Sequence, residues 1–169
     1  MAVFTASWDL LTWSPLWAAL LGLPIRRGTD RPNLLRSHFS GTALSDGVQS
    51  IVRRSGSVDT FEASLVADLR RVQGRYPGDR AVTELVEELL ASSERFRELW
   101  ASGAVGELQS ERKVVRSALV GDVELDCDVF TVAGTDLRIV AYTAASGSEA
   151  AAKLDFLRVS AIAAVGPTI

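Results

Sequence analysis

The sequence predicts an α+β domain in which a five-stranded antiparallel sheet carries helices packed on one face. Three observations support this class. Two short apolar segments precede a marked helix start at Ser14, and apolar residues then recur at helical spacing through the middle of the chain. From Arg112 onward the apolar period changes to two, which is typical of strands. Strands at both ends with helices between them indicate one sheet covered on one side.

The N-terminal segment is predicted to be a hairpin followed by a helix. Residues 3–8 and 10–13 are interpreted as two antiparallel strands joined by a tight turn. Ser14 can cap a helix, and Pro15 fits the first helical position, where its missing N–H is not needed. The helix should end before Gly22. Three of the four tryptophans lie in this segment, namely Trp8, Trp13 and Trp17.

The middle of the chain is predicted to be helical between two irregular connections. We expect an arginine-rich loop over residues 24–32 and a variable, glycine- and serine-rich connection over residues 41–57. The predicted helices cover residues 33–39, a segment from Asp59 to Gly74, a segment starting at Asp79, and one capped by Ser92 or Ser93 that closes at Gly103.

The C-terminal third is predicted to be a three-stranded meander and a helix. Residues 123–129 alternate between an apolar and an acidic face, and residues 114–119 and 137–143 flank them as neighbouring strands. Cys127 falls on the apolar face. The tail from Ser148 is predicted to be a helix with Leu154, Leu157 and Ile162 on one face.

Composition and charge narrow the function classes. The chain has 169 residues, 47% of them hydrophobic, with a net charge of −3, so its bulk charge does not indicate nucleic-acid binding. Because Cys127 is the only cysteine, an internal disulfide and a cysteine zinc site are excluded, and a reducing cytoplasm fits. The longest apolar run, residues 15–21, is too short to span a bilayer, and no signal peptide is predicted.

The sequence offers little for catalysis. His38 is the only histidine, so a Ser/His/Asp or Cys/His arrangement would have to include it. We find no nucleophile elbow, phosphate loop or dinucleotide fingerprint. We interpret His38 as structural or exposed and Cys127 as a small core residue. Asp126 and Asp128 share a wet strand face without further ligands, so neither a metal nor a cofactor is predicted.

Six segments, taken in order, carry a family resemblance. They are SWDLLTWS at 7–14, RPNLLR at 31–36 followed by Phe39, LVADLRRVQGRY at 65–76, residues 85–100, VGDVEL at 120–125, and IVAYTAASGS at 139–148. With these segments the chain resembles the ligand-binding domain of MmyB-like transcription regulators, a bacterial group common in actinomycetes. Two positions depart from the family pattern: Ser14 replaces an asparagine, and Ser117-Ala118 replaces a His-Pro pair.

The resemblance implies a PAS-like fold that binds a small hydrophobic ligand, with fatty acids the usual suggestion. It also implies that full-length members bind DNA through an N-terminal helix-turn-helix of the Xre type. Because the match begins almost at Met1, we expect an excised domain without those DNA-binding helices. We assign residues 1–160 to the ligand-binding domain and residues 161–169 to a C-terminal tail.

The first functional hypothesis is a sensor that holds an apolar ligand with a carboxylate between sheet and helices. Aromatic residues would wall the pocket, and a few polar residues would contact the head group. The candidates are Trp8, Trp13, Trp17, Phe39, Phe96 and Trp100 for the walls, and Asn33, Arg36 and Tyr142 for the polar contacts. Arginine suits this role because its guanidinium forks onto carboxylates.

Two alternatives remain open. The domain could be a dimerisation or protein-interaction module in which the aromatic residues are ordinary core. In the sensor hypothesis, a homodimer contact through the tail after Leu154 would be the route from ligand to output. It could also be a small hydrolase or isomerase that uses His38 or a carboxylate pair in a cavity. A continuous apolar cavity would favour the sensor over the interaction module.

Overall fold

The computed structural model describes residues 1–22, 31–41, 51–52, 57–103, 105–106, 108 and 110–164. The elements in chain order are β1 (Ala2–Phe4), β2 (Leu10–Trp13), α1 (Pro15–Leu21), α2 (Leu34–Ser40), β3 (Ile51–Val52), α3 (Ser57–Arg75), α4 (Arg80–Ser92), α5 (Glu94–Ala101), β4 (Glu111–Ser117), β5 (Gly121–Thr131), β6 (Arg138–Thr143) and α6 (Glu149–Ala164). This order confirms the predicted α+β class. The loop predicted over residues 24–32 and the connection over 41–57 lie largely outside the described residues.

All strands belong to one antiparallel sheet with the order β2-β1-β6-β5-β4-β3. The five predicted strands are present, and the two-residue strand β3 extends the sheet beside β4. That addition was not predicted because its surroundings are rich in glycine and serine. Strand β1 pairs with β6, Ala2 opposite Val140, so the N-terminal hairpin and the C-terminal meander form a continuous surface.

The period-two pattern decides which sheet face the helices cover. On β5, Val123, Leu125 and Cys127 are buried, whereas Asp122 before them and Glu124 between them are exposed. The predicted core position of Cys127 is therefore confirmed. Helix α1 packs on β4 and on α6, while α3 packs against α4 and α5.

Side-chain caps begin the helices where the sequence predicts them. Ser14, Asp79 and Ser93 each accept a hydrogen bond from the first turn of their helix. The predicted limits of α3 were wrong at both ends, because the helix begins two residues before Asp59 and includes Gly74. It ends just before Tyr76-Pro77, and proline lacks the N–H needed to continue a helix.

Strand β1 is shorter than predicted because a turn replaces its second half. The backbone N–H of Thr5 donates to the carbonyl of Asp9 at 2.9 Å, and that of Trp8 donates to Thr5 at 3.1 Å. The side chains of Thr5 and Ser7 also donate to the Asp9 carboxylate. At the other end of the chain, α6 runs through residue 160, so the boundary we assigned there falls inside a helix.

Candidate functional site

In the part of the chain that the structure describes, the nine predicted site residues lie in separate groups. One group is an aromatic cluster formed by Phe39 of α2 with Phe96 and Trp100 of α5. Phe96 is 0% exposed and stacks on Trp100 with ring centroids 5.4 Å apart. Phe39 meets Phe96 edge-on at 5.2 Å. The predicted shared face of Phe96 and Trp100 is therefore confirmed.

A second aromatic contact joins the first helix to the sheet. Trp17 of α1 stacks on Tyr142 of β6, with centroids 4.5 Å apart and rings 12° from parallel. Trp13 lies on β2 opposite Ala2 and is partly buried against the core. These three residues line the sheet side of α1, and their role as ligand contacts stays a prediction.

The two polar candidates on α2 bond to other protein groups. The amide oxygen of Asn33 accepts from the backbone N–H groups of Leu35 and Arg36, which caps the helix, and its amide nitrogen donates to the Ser7 carbonyl and the Asp9 carboxylate. Arg36 forms an ion pair with Glu88 of α4, at 2.9 Å from Nη2 to Oε2. These bonds tie α2 to the N-terminal hairpin and to α4.

The remaining predicted wall residue, Trp8, belongs to a buried polar node that consists of Trp8, Asp68 and Arg138. Arg138 of β6 donates from Nε and Nη2 to the two oxygens of Asp68, at 2.7 and 3.0 Å. The indole N–H of Trp8 donates to Asp68 at 3.0 Å, and Arg71 adds a fourth donor at 3.2 Å. Asp68 is 6% exposed and Arg138 is 7% exposed, so the charges are paired in the interior.

The backbone of Trp8 is strained. Its φ is +68°, and it is the one non-glycine residue with positive φ in the described ranges. For a bulky L-residue the left-handed conformation costs roughly 1–2 kcal/mol. Hydrogen bonds from Trp8 N–H to Thr5 and from Leu34 N–H to the Trp8 carbonyl hold it there. Such strain is concentrated at functional sites, where the surroundings over-determine one conformation.

A cleft of about 380 Å³ opens over the polar node, between α3 and the helix-facing side of the β5–β6 hairpin. Its described lining consists of Ala6, Asp68, Arg71, Val72, Arg75, Tyr76, Leu108, Val129, Thr131, Thr135, Asp136 and Arg138. Volumes of this size are common for small-molecule sites, as is a lining that combines apolar surface with a few charged groups. None of the nine predicted residues is part of this lining, although Trp8 bonds to its floor.

A second cleft of about 330 Å³ adjoins the first and shares Ala6, Val72, Tyr76 and Asp136 with it. The Tyr76 hydroxyl donates to the Asp136 carboxylate at 2.5 Å, which places a bridge between side chains that line both clefts. This hydrogen bond raises the pKa of the Tyr76 hydroxyl. Tyr76 therefore stays a neutral donor at physiological pH.

Sequence reasoning missed Asp68 and Arg138, although a signal existed. Asp68 lies on the same stretch of α3 as Leu65, Leu69 and Val72. Arg138 lies on the same strand face as Val140, since side chains two positions apart point to the same side of a strand. A charged residue on an apolar face needs a buried partner. The missing information was which charges meet, since Asp68 is 60 residues from Trp8 and 70 from Arg138.

A further buried polar group lies on β4 and β5. The Lys113 ammonium is 3.4 Å from the Cys127 sulfur, 3.5 Å from a Glu111 oxygen and 4.6 Å from the centre of the Phe61 ring. The other Glu111 oxygen, Oε1, is buried and has no hydrogen-bond partner in the described part of the chain. This group supports α3 on the sheet at a distance from the cleft lining.

The single histidine is part of an ion-pair network. His38 Nε2 lies 2.9 Å from Glu62, and Arg95 donates to the same carboxylate at 2.7 Å. Burial opposes ionisation of Glu62, but the hydrogen bonds from Arg95 and His38 outweigh it and lower its pKa.

Across the described ranges, no three His, Cys, Asp or Glu side chains are grouped to hold a metal ion. In the same ranges, no helix has the length and apolarity to cross a membrane.

The fold defines a class: an α+β domain in which helices pack on an antiparallel sheet, with a cleft between α3 and the β5–β6 hairpin. The comparison with known families is specific. The profile of the MmyB-like transcription regulator ligand binding domain matches residues 1–157, and the chain therefore belongs to this family. Its members are regulator domains and not enzymes. No curated protein and no solved structure matches the chain.

Proposed function

We propose that the domain senses a small amphipathic molecule of the fatty-acid type, held between the sheet and the helices. The observation that carries this proposal is the cleft between α3 and the β5–β6 hairpin, where Val72, Leu108 and Val129 supply apolar surface beside three arginines. A fatty acid has the same two chemical parts. The family assignment supports a small-molecule ligand for the domain.

In this proposal the hydrophobic chain of the ligand supplies most of the binding free energy. Each methylene group that leaves water contributes about 0.8 kcal/mol before ordering costs are subtracted. A saturated chain of ~14 carbons would therefore gain on the order of 10 kcal/mol gross. The alkyl chain would lie along the apolar part of the cleft lining, which Val72, Leu108 and Val129 supply.

The output would be transcriptional. In a full regulator, a helix-turn-helix segment would bind DNA in the cytoplasm, and this domain would modulate it. A ligand changes that output only if it binds one arrangement of the regulator better than another. Helix α3 provides a route, because its residues Asp68, Arg71 and Arg75 line the cleft and its other contacts are with α4 and α5.

The test is mass spectrometry of organic extracts from the purified protein. We expect a co-purifying long-chain acid in a near-stoichiometric amount, and we expect added saturated acids to compete for it. Affinity should weaken roughly tenfold for each two carbons removed, since two methylenes correspond to about 1.6 kcal/mol. A protein that carries no lipid and binds no added acid would contradict the proposal.

A homodimer through α6 is a second element of the proposal, favoured by one observation. Phe156 and Val159, one helical turn apart, are 59% and 70% exposed, whereas Leu157 of the same helix is buried. Asp155 and Arg158 lie beside this apolar stripe and pair with each other within the helix, so they leave the stripe itself open to a second copy of the chain. Light scattering should report a dimer for the domain and a monomer for Phe156→Asp.

A further inference from the structure

We propose that the anionic head group of the ligand binds to Arg138 on the floor of the cleft, with Arg71 and Arg75 at its rim. This inference rests on the proposed function and adds the subsite and the ligand class: a monoanionic carboxylate joined to an apolar chain. Helix α3 supplies the two rim arginines, strand β6 supplies the floor, and the apolar lining faces the rest of the ligand.

The first argument is the unused donor capacity of Arg138. A guanidinium has five N–H donors, and Asp68 accepts from only Nε and Nη2. Among the described residues, Nη1 has no hydrogen-bond partner, although Arg138 is only 7% exposed. The residue lines the cleft. A nearly buried guanidinium with free donors beside an open cleft is suited to a carboxylate, which can accept two parallel N–H bonds.

The second argument is that the carboxylate oxygens of Asp68 already have hydrogen-bond donors. Four donors converge on this carboxylate, two from Arg138 and one each from Trp8 and Arg71. Asp68 therefore fixes the orientation of the Arg138 guanidinium and pre-organises it for a second carboxylate. The strained conformation of Trp8 serves this arrangement, because it brings the indole N–H to Asp68.

The third argument is the charge balance of the cleft. Its described lining contains three arginines, Arg71, Arg75 and Arg138, and two aspartates, Asp68 and Asp136. The cleft thus carries one excess positive charge, which one carboxylate neutralises. Arg75 is 3.7 Å from Asp136 in a loose, exposed pair, so it can turn toward a ligand at little cost.

The experiment compares three probes that share one chain: decanoate, methyl decanoate and decanol, titrated into the domain at pH 7 by calorimetry. Decanoate should bind about tenfold more tightly than the ester and the alcohol, the typical effect of a charge-assisted hydrogen-bond pair. The rim variant Arg71→Met/Arg75→Met should lose most of this preference while keeping its affinity for the ester. Arg112→Met/Arg116→Met is the matched control, since both arginines lie on the exposed sheet face and pair with acids there.

The role of Arg138 is tested with Arg138→Lys, which keeps one positive charge beside Asp68 but removes the guanidinium that can donate two parallel hydrogen bonds. Decanoate should bind this variant about tenfold more weakly, and methyl decanoate should bind it unchanged. Equal affinity of wild-type protein for decanoate and methyl decanoate would overturn the head-group site and leave the proposed function standing. If none of the three probes binds, the proposed function fails together with this inference.

Discussion

The polar node and the aromatic cluster both pack against helix α3, but the first is built mainly from charged groups and the second from aromatic rings. In the aromatic cluster, the rings of Phe39 from α2 and Trp100 from α5 contact Phe96, which is fully buried. In the polar node, charged groups take the place of rings, and a cleft remains above them. If the ligand binds in this cleft as proposed, it enters beside the charged groups of the core and not beside the segment richest in aromatic residues.

Phe96→Ala should give the largest change and should leave the cleft intact. Removing a fully buried ring costs about 3–5 kcal/mol of unfolding free energy. Urea denaturation measures this loss. At temperatures where the variant is folded, its affinity for decanoate should match that of the wild type. A strong loss of affinity in folded Phe96→Ala would instead make the aromatic cluster part of the ligand site.

Trp8→Phe should give an intermediate change that affects both stability and binding. Phenylalanine keeps an aromatic ring but is smaller than the buried indole, and Asp68 loses its indole donor. A hydrogen bond to a charged group is worth about 1.5–3 kcal/mol. Denaturation and calorimetry on the same sample separate the two effects. Trp13→Phe is the control, because Trp13 lies at the edge strand β2. Equal losses of stability and of affinity in the two variants would contradict a specific role of the polar node.

Stability should fall in acid through Glu62, beside the aromatic cluster. Its pKa in the folded protein lies below the ordinary value of 4.5, so its stabilising effect is present above pH 4.5 and is lost as the pH falls through the folded value. Urea midpoints between pH 3 and 6 should therefore decline less steeply for Glu62→Gln than for the wild type. Parallel curves for the two proteins would show that the ion pairs with His38 and Arg95 contribute nothing.

Arg36→Met should give the smallest change. The ion pair with Glu88 is partly exposed to solvent, and exposed pairs of this kind are worth about 0–1 kcal/mol. If the head group binds at Arg138, decanoate affinity should also be unchanged. A decanoate affinity that drops severalfold, with methyl decanoate unaffected, would return the head group to the position first predicted from the sequence.

Local patterns in the sequence predicted most of the fold. Ser14, Asp79 and Ser93 cap helices because capping depends on residues three positions away. The alternation of apolar and acidic residues along β5 likewise predicts which of its side chains are buried. The strand pairing of β1 with β6 joins residues far apart in the chain, yet the family resemblance and the α+β order anticipated one sheet.

The site was harder to predict because its contacts are distant in sequence. Arg36 pairs with Glu88, 52 residues away, which the sequence did not reveal, and its role as a head-group contact stays a prediction. Conversely, Arg138 and Asp68 carry no local motif, and only their positions on apolar faces marked them as unusual. The turn that strains Trp8 also depends on bonds from Thr5 and Leu34, which an alternating pattern cannot reveal.

The central claim is that the ligand lies between α3 and the β5–β6 hairpin, over the polar node. A crystal structure of the domain with decanoate tests it most directly. We predict density for an alkyl chain along Val72 and Val129, ending in a carboxylate within hydrogen-bond distance of the Arg138 guanidinium. Density inside the aromatic cluster or on the exposed sheet face, with an empty cleft, would contradict the claim.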